Sequence, residues 1–124
     1  MPKRILVVED NEDTRDLLEM YLRVAGHTVA LAEGGIEGFR AIESQSPDLM
    51  ITDLRMPDGD GIELIERLRA KPELIGLPIL VLTANGNGVS HRAREAGANV
   101  VMRKPVDFDS VMDIVRELLR SYSQ

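Results

Sequence analysis

Five short apolar runs alternate along the chain with stretches whose hydrophobic positions recur every three or four residues. Arg4–Val8, Thr28–Ala32, Leu49–Thr52, Ile79–Leu82 and Val100–Met102 are predicted strands. Two of these, Ile5-Leu6-Val7-Val8 and Ile79-Leu80-Val81-Leu82, are apolar without a break, as strands covered on both faces of a parallel sheet must be. Between them the period changes. Leu17, Leu18, Tyr21, Leu22 and Ala25 mark a first helix that ends at Gly26, a natural C-terminal cap. Ile36, Phe39 and Ile42 mark a second, closed by Ser46-Pro47. Ile62, Ile65 and Leu68 mark a third, with Asp60 placed to cap it. Val111, Ile114, Val115 and Leu118 mark the last. The stretch from Asn87 to Ala96 offers only Val89, Ala93 and Ala96 to a core, so a loosely held fourth helix is expected there.

Five strand–helix units with short connections predict an α/β fold, a doubly wound five-stranded parallel sheet. In such sheets ligands bind beyond the carboxyl ends of the strands, where strand order reverses. The chemistry is therefore expected at Glu9-Asp10, Asp53, Thr83-Ala84 and Lys104-Pro105. Length agrees with one compact domain over residues 1–124. Hydrophobic residues at 44% and charged residues at 29% are the balance of a folded soluble protein. Cysteine is absent, which excludes disulfides and thiolate chemistry and agrees with a reducing cytoplasm. A net charge of −6 and the scarcity of aromatic residues argue against direct nucleic-acid binding. The four apolar residues before Glu9 are too few for a signal-peptide core or a membrane span.

Three carboxylates at neighbouring strand ends repel one another unless a cation or proton lies among them. Glu9, Asp10 and Asp53 are hard oxygen ligands, a set that suits Mg²⁺ with room left for a phosphate. Alone, Glu9 and Asp10 also read as solvated loop acids, with Asp10 capping the first helix; Asp53 at a neighbouring strand end and Lys104 across the sheet top favour the metal site. Asp58 and Asp60, among glycines, read as turn residues. Thr83 either caps a turn or donates to an incoming phosphoryl oxygen. Lys104 stands out in a chain with twelve Arg and three Lys, and a compact ammonium suits a point contact to phosphate. Pro105 fits a tight turn in which a cis bond sometimes occurs. His27 and His91 fall outside this cluster and read as surface residues, which leaves no Ser-His-Asp set. Asn85-Gly86-Asn87-Gly88 lacks the length and the lysine of a P-loop.

The set Glu9-Asp10, Asp53-x-x-Met56-Pro57, Thr83-Ala84, Gly97-Ala98 and Lys104-Pro105 resembles the receiver domain of bacterial response regulators, over essentially the whole chain. The resemblance implies a flavodoxin-like sheet of order 2-1-3-4-5 with five helices. It implies that Asp53 accepts phosphate from a histidine kinase or a histidine phosphotransfer protein. Asp10 and Asp53 would ligate Mg²⁺ directly, Glu9 mainly through water, and the Arg55 carbonyl would add a further ligand. Lys104 and Thr83 would contact the phosphoryl oxygens. The implied protein is a cytoplasmic switch, not an enzyme with an external substrate. It would promote its own phosphorylation and slow dephosphorylation and signal to a downstream protein or fused output domain. Val101 stands where many members carry Tyr or Phe, and Val106 where Phe often follows Lys-Pro. Output is therefore expected to run through the loop and weak helix after Thr83.

Two other classes fit less well. Aspartyl-phosphate phosphatases of this topology are expected to place the nucleophile on the first strand with a second acid two residues on, and Glu9-Asp10-Asn11 does not match. A flavin module would need an anion-binding loop in place of Glu9–Asp13 and aromatic residues to stack on the ring.

Overall fold

The computed structural model of the protein describes residues 3–56, 59–84 and 88–122. Pro57-Asp58, Asn85-Gly86-Asn87 and the two chain ends lie outside it, as does the side chain of Asp60 expected to cap the third helix. The strands are β1 (Arg4–Val8), β2 (Thr28–Ala32), β3 (Leu49–Thr52), β4 (Ile79–Thr83) and β5 (Val100–Arg103). The helices are α1 (Glu12–Val24), α2 (Gly35–Gln45), α3 (Gly61–Arg69), α4 (Val89–Ala96) and α5 (Phe108–Tyr122). All neighbouring strands in the sheet are parallel, in the order β2-β1-β3-β4-β5. A two-residue antiparallel ribbon, Arg55–Met56 with Gly59–Asp60, leads into α3.

Alternation along the apolar strands feeds two separate cores. Leu6, Val8, Met50, Ile79 and Val81 point to one face, where Ile42, Ile65, Leu68 and Ala93 cover them. Ile5, Val7, Leu49, Ile51, Leu80 and Leu82 point to the other, against Leu18, Leu22, Val111, Val115, Leu118 and Leu119. Each fully buried Leu, Ile or Val contributes roughly 1.5–3 kcal/mol, so helices on both faces are what make an unbroken apolar strand stable.

The helical periodicity marks faces broader than those actually buried. In α1 only Leu18 and Leu22 are buried, while Leu17 is 40% exposed. Ala25 is exposed, and Ile36 at the start of α2 is 49% exposed. A helix resting on a sheet presents a narrow stripe, and neighbours at either side of it meet solvent. In α5, Ile114 is half-buried and Leu119 joins the core instead. The weak α4 is as expected: Ala93 is its one buried residue among those described, with Val89 and Ala96 packed partly against the core. No helix among the described residues is long and apolar enough to cross a membrane.

Candidate functional site

The register of the sheet assembles the site. Val8 pairs with Thr52, so the next residues, Glu9 and Asp53, leave the sheet side by side. Their backbones follow the strand ends: the Glu9 amide donates to the Ala32 carbonyl at 2.9 Å, and the Asp53 amide to that of Val8 at 3.1 Å. Thr83 pairs with Arg103, which brings Lys104 to the same edge. The Lys104 amide donates to the Thr83 carbonyl at 2.8 Å, and the Lys104–Pro105 bond is cis.

Lys104 Nζ lies 3.0 Å from Glu9 Oε1 and 3.1 Å from Asp53 Oδ2. Glu9 is 2% exposed and Asp53 9%, whereas Asp10 is open to solvent. Asp53 Oδ1 accepts from the amides of Leu54 at 2.6 Å and Arg55 at 3.4 Å. Glu9 Oε2 accepts from the Asn11 amide at 3.2 Å. Burial pushes the Glu9 carboxyl above its usual range, and the Asp53 charge adds to this against the opposing bond from Lys104. For Lys104, burial works to lower the ammonium, but hydrogen bonds and charge from Glu9 and Asp53 outweigh it and its pKa is raised. The lysine is therefore held fully charged among the acids.

Carboxylate oxygens of Glu9, Asp10 and Asp53 lie within 4.8 Å of one another. An all-oxygen, anionic set that crowded, with one member open to solvent, fits a hard divalent cation that keeps part of its water shell. Arg55 reaches the site through its backbone amide, while its side chain is exposed. Thr83 is buried at the end of β4, tied to Lys104 through its carbonyl.

Other placements differ from expectation. Asp10 does not cap α1; Asn11 does, its Oδ1 accepting from the Thr14 amide at 2.9 Å, which leaves the Asp10 carboxylate to the acidic cluster. His27 is half-buried rather than simply superficial, and its Nδ1 accepts from the Lys3 amide at 3.2 Å. Burial, together with the charge of Lys3, lowers its pKa. His91 is exposed on α4 and faces Glu95 at 3.6 Å. Val101 packs on one core and Val106 on the other.

Two contributors escaped the sequence pattern. Arg15 Nη1 donates to the Glu9 carbonyl at 3.0 Å, bracing the loop that carries two of the acids. A Cβ at Gly61 would lie 2.4 Å from the Asp53 carbonyl oxygen and 2.8 Å from Leu54 Cα, so only glycine lets α3 start against the backbone of Asp53. Glycine in the run Gly59-Asp60-Gly61 carries an ordinary turn signal, and nothing in it distinguishes this close approach.

The comparisons with known proteins agree with this arrangement. The model of the response regulator receiver domain matches residues 5–116. Response regulator MprA of Mycobacterium sp. (strain KMS) is 39% identical over 125 residues, an alignment covering 99% of this chain and 53% of that protein. The chain thus spans about half the length of the curated relatives it matches. A crystal structure assigned as a response regulator from Chloroflexus aurantiacus J-10-fl superposes with a TM-score of 0.91 at 36% identity, covering 97% of this chain and 99% of that one. The CheY-like response regulator receiver domain protein of Methanospirillum hungatei JF-1 gives the same TM-score at 28% identity, over 98% and 97%. Acids and lysine gathered at the switch point of this sheet, in a sequence matched by the family model over nearly its full length, place the chain in the response regulator receiver domain family, whose general function is to accept a phosphoryl group on aspartate in two-component signalling.

Proposed function

We propose that residues 1–124 form one receiver unit in which Asp53 is the phosphoacceptor, supplied by a phosphohistidine of a histidine kinase or histidine phosphotransfer protein in the cytoplasm. The observation that carries this reading is Lys104 Nζ held between Glu9 Oε1 and Asp53 Oδ2, with the Asp10 carboxylate beside them. Backbone amides engage Oδ1 of Asp53, and Oδ2, which faces the Lys104 ammonium, is the attacking oxygen. An O–P bond forms as the P–N bond to the donor histidine breaks, and the imidazole leaves and takes up a proton. Lys104 pairs with the phosphoryl oxygens and neutralises their charge in the transition state. Thr83 donates a hydrogen bond to the bound phosphoryl group.

Glu9, Asp10 and Asp53, with the Arg55 carbonyl, would hold Mg²⁺, which when bound supplies charge neutralisation of the transferring phosphoryl oxygens. Water later attacks phosphorus, releasing inorganic phosphate and the Asp53 carboxylate. The domain is thus a switch that promotes its own phosphorylation and slow reset without turning over an external substrate. Its signal passes to a downstream protein or fused output domain through the region after Thr83.

Incubation with acetyl phosphate and Mg²⁺, read by intact mass, tests this. One acid-stable, base-labile phosphoryl adduct is expected, absent with chelator and in Asp53→Asn. An adduct that persists in Asp53→Asn would move the acceptor elsewhere.

A further inference from the structure

The two ends of α4 are held very differently. At its start the cap position is Gly88, which has no side chain to satisfy the first amides of the helix, and α4 comes next in the chain after the segment that follows Thr83. At its end the Gly97 carbonyl is gripped by Arg69, the last residue of α3. Arg69 Nε and Nη2 donate to the Gly97 carbonyl at 3.2 and 2.8 Å. Nη1 donates to the carbonyls of Leu74 and Ile75 at 2.7 and 3.2 Å. Nη2 also reaches Asn99 Oδ1 at 3.1 Å, and that same oxygen accepts from the Ile79 amide, the first of β4, at 2.8 Å.

Gly97 is adapted to this contact. Its φ of +128° favours glycine, and a Cβ there would lie 2.6 Å from Arg69 Cγ and 2.8 Å from Nε. The Gly97 amide closes the helix on Ala93 and Arg94, and the Asn99 amide donates to the Ile79 carbonyl at 2.9 Å. A planar guanidinium that bridges the end of α4, the 72–75 turn and the start of β4 is a fixed fork, which a single-point cation does not reproduce.

We propose that Arg69 is the pivot of the switch: it anchors the Gly97 end of α4 to the sheet, so that a phosphoryl group at Asp53 swings the Val89 end while residues 97–99 stay in place. This rests on the phospho-accepting role proposed for Asp53. Between the two ends only Ala93 is buried among the helix's described residues, which leaves little packing to resist such a swing.

Amide hydrogen exchange of the whole chain, with and without Mg²⁺ and beryllofluoride as the phosphoryl mimic, tests the pivot in wild type and Arg69→Met. In wild type, the mimic is expected to change exchange at residues 88–92 and to leave 97–99 unaltered. In Arg69→Met without mimic, residues 97–99 exchange at least 10-fold faster, and with mimic the change spreads through residue 99. Asn99→Ala, which removes the oxygen shared by Arg69 and Ile79, is expected to do the same and replaces Arg69→Met if that variant does not fold. The pivot is overturned if wild-type residues 97–99 respond as strongly as 88–92, or if the variants leave 97–99 unchanged. No response to the mimic anywhere in wild type overturns the phospho-accepting reading and the switch with it. The mimic-free comparison then still separates that failure from a failure of the Arg69 clamp.

Discussion

At the scale of single residues, the acidic site gathers like charges at a cost in stability. Glu9 and Asp53 share one lysine with Asp10 beside them, and carboxylates this close repel even when solvent screens them. Asp10 is exposed and adds to that repulsion. Asp10→Asn is therefore expected to stabilise the metal-free protein, by on the order of 1 kcal/mol, and to weaken Mg²⁺ binding severely. Thermal unfolding in chelator and calorimetric Mg²⁺ titration check the two halves; a destabilised variant with unchanged affinity would contradict both. Asn11, one residue on, has the opposite character. Its side chain caps α1 at the Thr14 amide, so Asn11→Ala should lower the unfolding free energy by about 1 kcal/mol, read by urea titration.

At the scale of elements, the bonds that hold the amino-terminal edge of the sheet include two made by the Lys3 backbone. The Thr28 amide donates to the Lys3 carbonyl at 2.9 Å, and the Lys3 amide donates to His27 Nδ1. The second bond needs an unprotonated Nδ1. Because the folded pKa of His27 lies below its ordinary value, the unfolded chain binds the proton more readily. This contribution is complete above the unfolded pKa near 6.5 and is lost as pH falls from there through the lower folded value. His27→Asn, with an amide oxygen as acceptor, is expected to flatten that part of the stability profile. Thermal midpoints at pH 8 and pH 5.5 for both proteins measure it, and equal slopes would exclude His27 as the source. The contrast among helices has the same kind of origin. Among the described residues, helix α5 buries four side chains in its core and α4 only that of Ala93, so α4 is the element available for movement.

At the scale of the whole molecule, the two cores share every strand of one sheet, and neither persists without it. Urea unfolding is accordingly expected to be a single transition, coincident by far-ultraviolet circular dichroism and tyrosine fluorescence. Mg²⁺ at about 100 times its Kd should add roughly 2.7 kcal/mol by linkage. This shifts the midpoint without changing the slope against denaturant, since binding leaves the surface exposed on unfolding nearly unaltered. A changed slope would mean that the metal orders residues that are otherwise unfolded.

Apolar period and punctuation by themselves determined the strands almost to the residue. The central β1, β3 and β4 are buried on both faces and admit no polar interruption, and the edge strands β2 and β5 are short apolar runs between breaks in the pattern. They also marked the strand ends where Glu9, Asp10, Asp53, Thr83 and Lys104 stand. The strand order was legible through resemblance to a family, not through periodicity, and the role proposed for each acid has the same source. Tertiary structure alone decided which apolar helical positions face inward, since Leu17 and Leu18 look alike until a sheet lies against one of them. It alone decided that Asn11 rather than Asp10 caps α1, that Gly61 must be bare beside Asp53, and that Arg69 reaches Gly97 and Asn99. These are contacts between atoms distant in the chain or choices among adjacent polar residues. Their energies depend on geometry that no one-dimensional pattern carries.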